Sequence, residues 1–159
     1  MTTDRLPPMD PAQMTPAQQA AAQAVIDGPR GALYGPFVPL LRSPELMDHV
    51  QRLGEYLRYR SAIGTRLSEL AILITARHWD QQVEWAIHAP VAAQAGISEE
   101  MINDVAHARR PSSMSDEEAA VYDFSRELNR NKGVSDPAYA KALALFGEHG
   151  VVDLMAING

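Results

Sequence analysis

The chain has 159 residues, enough for one compact domain with a real core, and its 46% hydrophobic and 21% charged content excludes disordered and fibrous classes. A formal net charge of −6 argues against nucleic acid or an anionic membrane as the main partner, because both are held by concentrated positive charge. There is no cysteine, which excludes disulfides, thiolate zinc sites and any cysteine nucleophile or redox pair.

Residues 1–14 are rich in proline and poor in apolar periodicity, and they read as an extended arm of the kind that often wraps a neighbouring subunit; residues 15–159 read as one helical domain. Thr15-Pro16 supplies an N-cap followed by proline at the first helical position, and that helix should stop near Gly28-Pro29. Residues 31–44 mix glycine and proline with Leu, Tyr, Phe and Val, which predicts an ordered loop that lines something. A second helix follows from Glu45 to about Tyr59, with Leu46, Val50, Leu53 and Leu57 at helical spacing.

From Arg66 to His78 the chain is apolar over most of a helical circumference, the pattern of a central buried helix. After a break at Asp80-Gln81, a helix from Gln82 to Ala95 should contain Pro90 as a kink and end at Gly96. Ser98 and Ser115 are capping residues for helices near 101–108 and 119–131, and further helical runs are expected at 137–146 and from Gly150 to the end. No strand pattern is present, so the expected class is all-α. The longest nearly apolar stretch, Leu70 to Ala76, is far too short to span a bilayer, and the N-terminus has no apolar signal core, so the cytoplasm is the expected location.

The segment Glu69 to His88 carries the candidate chemistry. Glu84 and His88 are four residues apart and share one helix face, where a carboxylate can raise and orient an imidazole for proton transfer near neutrality. Taken alone, such a pair is more often a surface contact. Glu69 sits among Leu67, Leu70, Ile72 and Leu73, and a carboxylate there needs a partner such as Arg66 or His88. His78, Glu84 and His88 match no metal motif of defined geometry, so no metal is expected. Trp79 and Trp85 read first as packing residues, although Trp85 could also line a site.

The stretch LSELAILITARHWDQQVEWAIHAPVAAQAGISEEMI closely resembles the central motif of the carboxymuconolactone decarboxylase family, which includes the alkyl hydroperoxidase D-like proteins. The likeness extends over roughly residues 30–159 through GPFVPLLRSPELMDHVQRLGEYLRY and GVVDLMAING, and relatives of this kind usually continue with an aromatic-containing stretch. In the peroxidase branch a glutamate precedes Cys-x-x-Cys and a histidine. Glu69 and His88 fall on that glutamate and histidine, while Gln81 and Glu84 stand at the cysteine positions, so thiol peroxidase chemistry cannot operate here.

The decarboxylase branch carries Glu-x-x-x-His at the places of Glu84 and His88. The resemblance therefore implies an alkyl hydroperoxidase D-like helical bundle assembled as a homo-oligomer, a trimer or hexamer, and a cofactor-free lyase acting on a small carboxylated or lactone-like substrate by decarboxylation or isomerisation. On that template His88 donates the proton, Glu84 orients it and Glu69 tunes the pair or relays a proton, with Arg66, Arg77, Trp85 and Phe37 as candidates for binding substrate. The competing reading is a non-catalytic ligand-binding or scaffold protein that has kept the fold.

Overall fold

The structure, a computed structural model, describes residues 4–159. Among these residues it contains eight α-helices, one 3-10 turn at Pro11–Gln13 and no strand. The chain divides into two compact units, with the boundary between Tyr56 and Leu57. The first three residues of the expected arm lie outside the described residues.

The N-terminal unit holds α1 (Pro16–Asp27), α2 (Phe37–Leu40) and most of α3 (Pro44–Tyr59). Thr15 and Gln18 form a reciprocal capping box, which satisfies two of the amide groups that a helix start leaves without partners. Helix α1 gives way at Gly28, ahead of Pro29. Residues 31–44 are ordered, as expected, but include the short helix α2, whose Phe37 is buried with Ala22, Val25, Leu41 and Met47. Met9 and Met14 of the proline-rich segment pack against this cluster, and Arg42 donates to the Pro7 carbonyl at 2.7 Å.

Helix α3 departs from a simple amphipathic reading. Its apolar stripe, Leu46, Val50 and Leu53, is 50%, 40% and 57% exposed, whereas Met47 and Gln51 are the residues it buries. The small cluster around Phe37 and Leu41 accepts Met47, and that choice turns the richer apolar face toward solvent.

The second unit contains α4 (Gly64–His78), α5 (Gln82–Gln94), α6 (Glu99–Ala106), α7 (Asp116–Asn131) and α8 (Asp136–Asn158). Helix α4 is central: α5, α6, α7 and α8 all pack on it, and eight of its fifteen residues are buried, matching its nearly all-round apolar sequence. Leu70, Leu73, Val121, Phe124 and Leu154 form the heart of the core.

A tight turn at Trp79-Asp80 reverses the chain between α4 and α5, closed by Gln81 N donating to Ala76 O at 2.8 Å. Pro90 lies inside α5. Gly96, at φ +95°, follows α5 in a left-handed conformation for which glycine is suited, and Ile97 N returns to Ala92 O.

Ser98 caps α6, and Ser115 with Glu118 makes a second capping box at α7. The two C-terminal runs expected from sequence form a single element that breaks at Gly147 (φ +64°, ψ 179°), where the backbone leaves the helical region. One turn later, a β-carbon at Gly150 would come within 2.5 Å of Phe146 Cβ and 3.3 Å of Ile63 Cγ2, so the approach there needs glycine. Within the core, Asn158 accepts from Thr75 Oγ1 (2.9 Å) and Asn129 Nδ2 (3.2 Å) and donates to Ser125 Oγ (3.0 Å) and Leu154 O (2.8 Å), a polar knot that ties α4, α7 and α8. Among the described residues no helix is long and apolar enough to cross a membrane.

Candidate active site

The site begins with a buried charge. Glu69, in the middle of α4, is completely inaccessible, and a carboxylate in that position is tolerated only when its oxygens are matched by donors. Both oxygens are matched. Arg58 Nε donates to Oε1 at 3.2 Å, and His88 Nδ1 meets Oε2 at 2.6 Å from the facing helix α5. The reversal at Trp79-Asp80 makes this possible, because it folds α5 back along α4 and brings residues nineteen apart in sequence into contact.

His88 is itself buried, with its second ring nitrogen, Nε2, 3.4 Å from Glu84 Oε2 one turn earlier on α5. Glu84 is the exposed end of the arrangement, with 37% of its side chain accessible against 11% for His88 and none for Glu69. The result is a row of alternating sign, Arg58, Glu69, His88 and Glu84, with Glu69 its most buried member and Glu84 its most exposed.

Burial by itself pushes the His88 pKa down, but the hydrogen bonds to Glu69 and Glu84 and the Glu69 charge outweigh it, and the pKa is raised above the ordinary 6.5. Arg58 opposes this rise. The hydrogen bond from His88 holds the Glu84 carboxyl below the ordinary 4.5 against the opposite effect of partial burial, and the charges of His88 and Arg58 act in the same direction. His88 therefore keeps its proton to higher pH than an ordinary imidazole, with Nδ1 held at 2.6 Å by Glu69 and Nε2 beside the longer 3.4 Å contact to Glu84.

The other candidates lie elsewhere. Arg66, expected as a partner of Glu69, instead pairs with Glu118 and Glu117 at the start of α7, and Arg58 takes the place beside Glu69. Arg77 donates to the Ala106 carbonyl at 2.8 Å and to Asp80 at 2.5 Å, away from the charge row. Trp85 is partly buried against the main core. Phe37 belongs to the N-terminal unit, where it is buried beneath the Arg30 guanidinium, 4.8 Å from its ring centre. Among the described residues no group of three or more metal-ligating side chains is placed to hold an ion.

Arg58 was missed in the sequence. It lies in the run LRYRSAIGTR with three other residues of its kind nearby in Arg52, Arg60 and Arg66, and nothing in the spacing singles it out. The model of the carboxymuconolactone decarboxylase family matches residues 44–127, more than half of the chain and including every member of the charge row. No curated protein and no solved structure matches the chain.

Proposed function

We propose, for a chain that belongs to the carboxymuconolactone decarboxylase family and has its alkyl hydroperoxidase D-like all-α fold, that His88 is the proton donor of a cofactor-free decarboxylation or isomerisation of a small carboxylated, lactone-like substrate. The observation that carries this reading is the buried 2.6 Å contact from His88 Nδ1 to Glu69, which fixes the ring and leaves Nε2 on the side of half-exposed Glu84.

In the decarboxylation, the bond between the ring carbon and the carboxylate carbon breaks and carbon dioxide leaves. The bonding electron pair moves into the conjugated lactone carbonyl. His88 then gives its Nε2 proton to carbon as that pair returns, and it regains a proton from solvent by way of Glu84. Glu69 keeps the imidazolium stabilised and oriented throughout, while Arg58 offsets the charge of Glu69 so that the pair does not become too basic to release a proton. The long Glu84 contact suits this role, since it supports the proton without holding Nε2 closed.

Assembly into a homo-oligomer belongs to the same proposal, and the exposed apolar stripe of α3 supports it.

The test is carbon dioxide release from a carboxylated unsaturated γ-lactone by the whole protein and by His88→Asn, with helicity and oligomeric state measured in parallel. Loss of turnover in a folded variant of unchanged assembly is the expected result; a variant that turns over at the wild-type rate removes His88 from the reaction.

A further inference from the structure

Arg77, considered from sequence as a candidate for binding substrate, opens onto a cavity of about 380 Å³. That volume lies in the range of small-molecule sites, about 300–1,000 Å³. None of the residues of the charge row lines it. On α4, Arg77 is eight residues beyond Glu69, about 12 Å along the helix axis at 1.5 Å per residue.

The lining has two characters. Ile74, Val105 and Ala108 make an apolar wall, while Arg77, Arg126 and Arg130 bring three guanidinium groups, joined by His78, Tyr122 and Asn129, with no carboxylate in the lining. Arg126 and Arg130 are four apart on α7, so two like charges share one helix face, an arrangement that is unfavourable unless something of opposite sign sits between them.

The nearby acids are engaged elsewhere. Asp123 is held by both Nε and Nη2 of Arg110, Glu127 accepts from the backbone and hydroxyl of Ser135, and Asp80 pairs with Arg77 from an exposed position. Neither Arg126 nor Arg130 has an ion pair among the described residues.

The positions of these groups are set in advance. Arg126 Nη1 donates to the Tyr122 hydroxyl at 3.0 Å, and that hydroxyl in turn donates to the Arg109 carbonyl at 3.1 Å, so the guanidinium is held at the cavity by a buried ring. Arg77 is braced by the Ala106 carbonyl. A net-acidic chain has thus gathered three arginines around one apolar recess. An inorganic anion would satisfy the charges but leave the wall of Ile74, Val105 and Ala108 uncovered.

We propose that this cavity is a binding site, separate from the His88 row, for a small organic carboxylate whose apolar body lies against Ile74 and Val105 and whose carboxylate is taken by Arg126 and Arg130.

Benzoate is the probe. The full chain, labelled with nitrogen-15, is titrated with benzoate and, separately, with neutral benzamide and inorganic phosphate, and amide shifts are followed together with calorimetric binding. The expected result is saturable benzoate binding that moves the signals of Ala108, Arg126 and Arg130. It should be weakened at least tenfold in Arg130→Gln and in Arg126→Gln/Arg130→Gln, and retained in His88→Asn, with weaker binding of benzamide and of phosphate. Arg130 is exposed, so its replacement is expected to leave the fold in place. Benzoate shifts confined to residues around His88, equal binding of benzamide, phosphate binding as tight as benzoate, or wild-type affinity in Arg130→Gln would each overturn the proposal. Because His88→Asn is expected to keep this binding, failure here and failure of the proton-donor reading are separate results.

Discussion

Glu69→Gln probes the interior end of the charge row with almost no change of shape. Glu69 accepts from Arg58 at 3.2 Å and from His88 at 2.6 Å, and it is wholly buried. A glutamine can turn its oxygen toward one of these donors, but its NH₂ then faces the other, so one charge-assisted bond is lost whichever way the amide lies. That loss amounts to about 1.5–3 kcal/mol, and the remaining bond is weakened because its acceptor is neutral. A destabilisation of about 3 kcal/mol is expected, at the lower edge of the range of about 3–5 kcal/mol for breaking a buried pair.

Urea unfolding followed by circular dichroism at pH 6 and pH 9 measures it. The raised pKa of His88 means that its contribution to stability is fully present below the unfolded value near 6.5 and is lost as pH rises through the folded value. The gap between wild type and variant should therefore be larger at pH 6 than at pH 9. A variant within about 0.5 kcal/mol of wild type at pH 6, or a gap that widens with pH, would refute the reasoning.

Three further perturbations test other parts of the structure. Glu84→Gln removes a group that raises the His88 pKa, so the alkaline limb of the turnover profile should move to lower pH; an unmoved limb would separate Glu84 from the titration. Asn158→Ala takes four hydrogen bonds out of the core, removes the donor to Ser125 and leaves Thr75 and Asn129 with the 3.1 Å bond between them, and should cost about 2–4 kcal/mol in denaturant unfolding. Ala108 follows α6 at φ +56° in a Schellman arrangement, with Ala108 N on Val105 O and Arg109 N on Asp104 O, a place that favours glycine. Ala108→Gly should accordingly stabilise the protein by about 0.5–1 kcal/mol, read as a raised melting temperature.

Features that depend on neighbours in sequence were legible. Thr15 and Ser115 announce their helices because a cap and its partner are three residues apart, and the i,i+4 spacing of Glu84 and His88 is visible on any helix. The break at Gly147 falls in the gap left between the expected runs 137–146 and Gly150 onward, where two glycines interrupt the helical pattern. What spacing could not rank was the two carboxylates around His88. Glu84 is nearer in sequence, yet Glu69 makes the shorter contact, because the α4–α5 reversal sets the approach of the helices.

The choice of arginine was also beyond local reasoning. Arg66 is three residues from Glu69 on the same helix, a spacing that allows contact, but the start of α7 offers it two acids, and Arg58 fills the buried position instead. The α3 stripe misled differently: periodicity reports that a helix has an apolar face, and only packing decides which residues face inward.

The unequal exposure of the charge row gives it the topology of a cul-de-sac. A conduit for protons must be passable at both ends, whereas past Glu69 this one meets the Arg58 guanidinium, which does not give up its proton at physiological pH. Traffic can therefore enter and leave only past Glu84. On the proposed reading, His88 is a reservoir for a single proton that is drawn down and refilled through the same door, and buried Glu69 sets how firmly that proton is held.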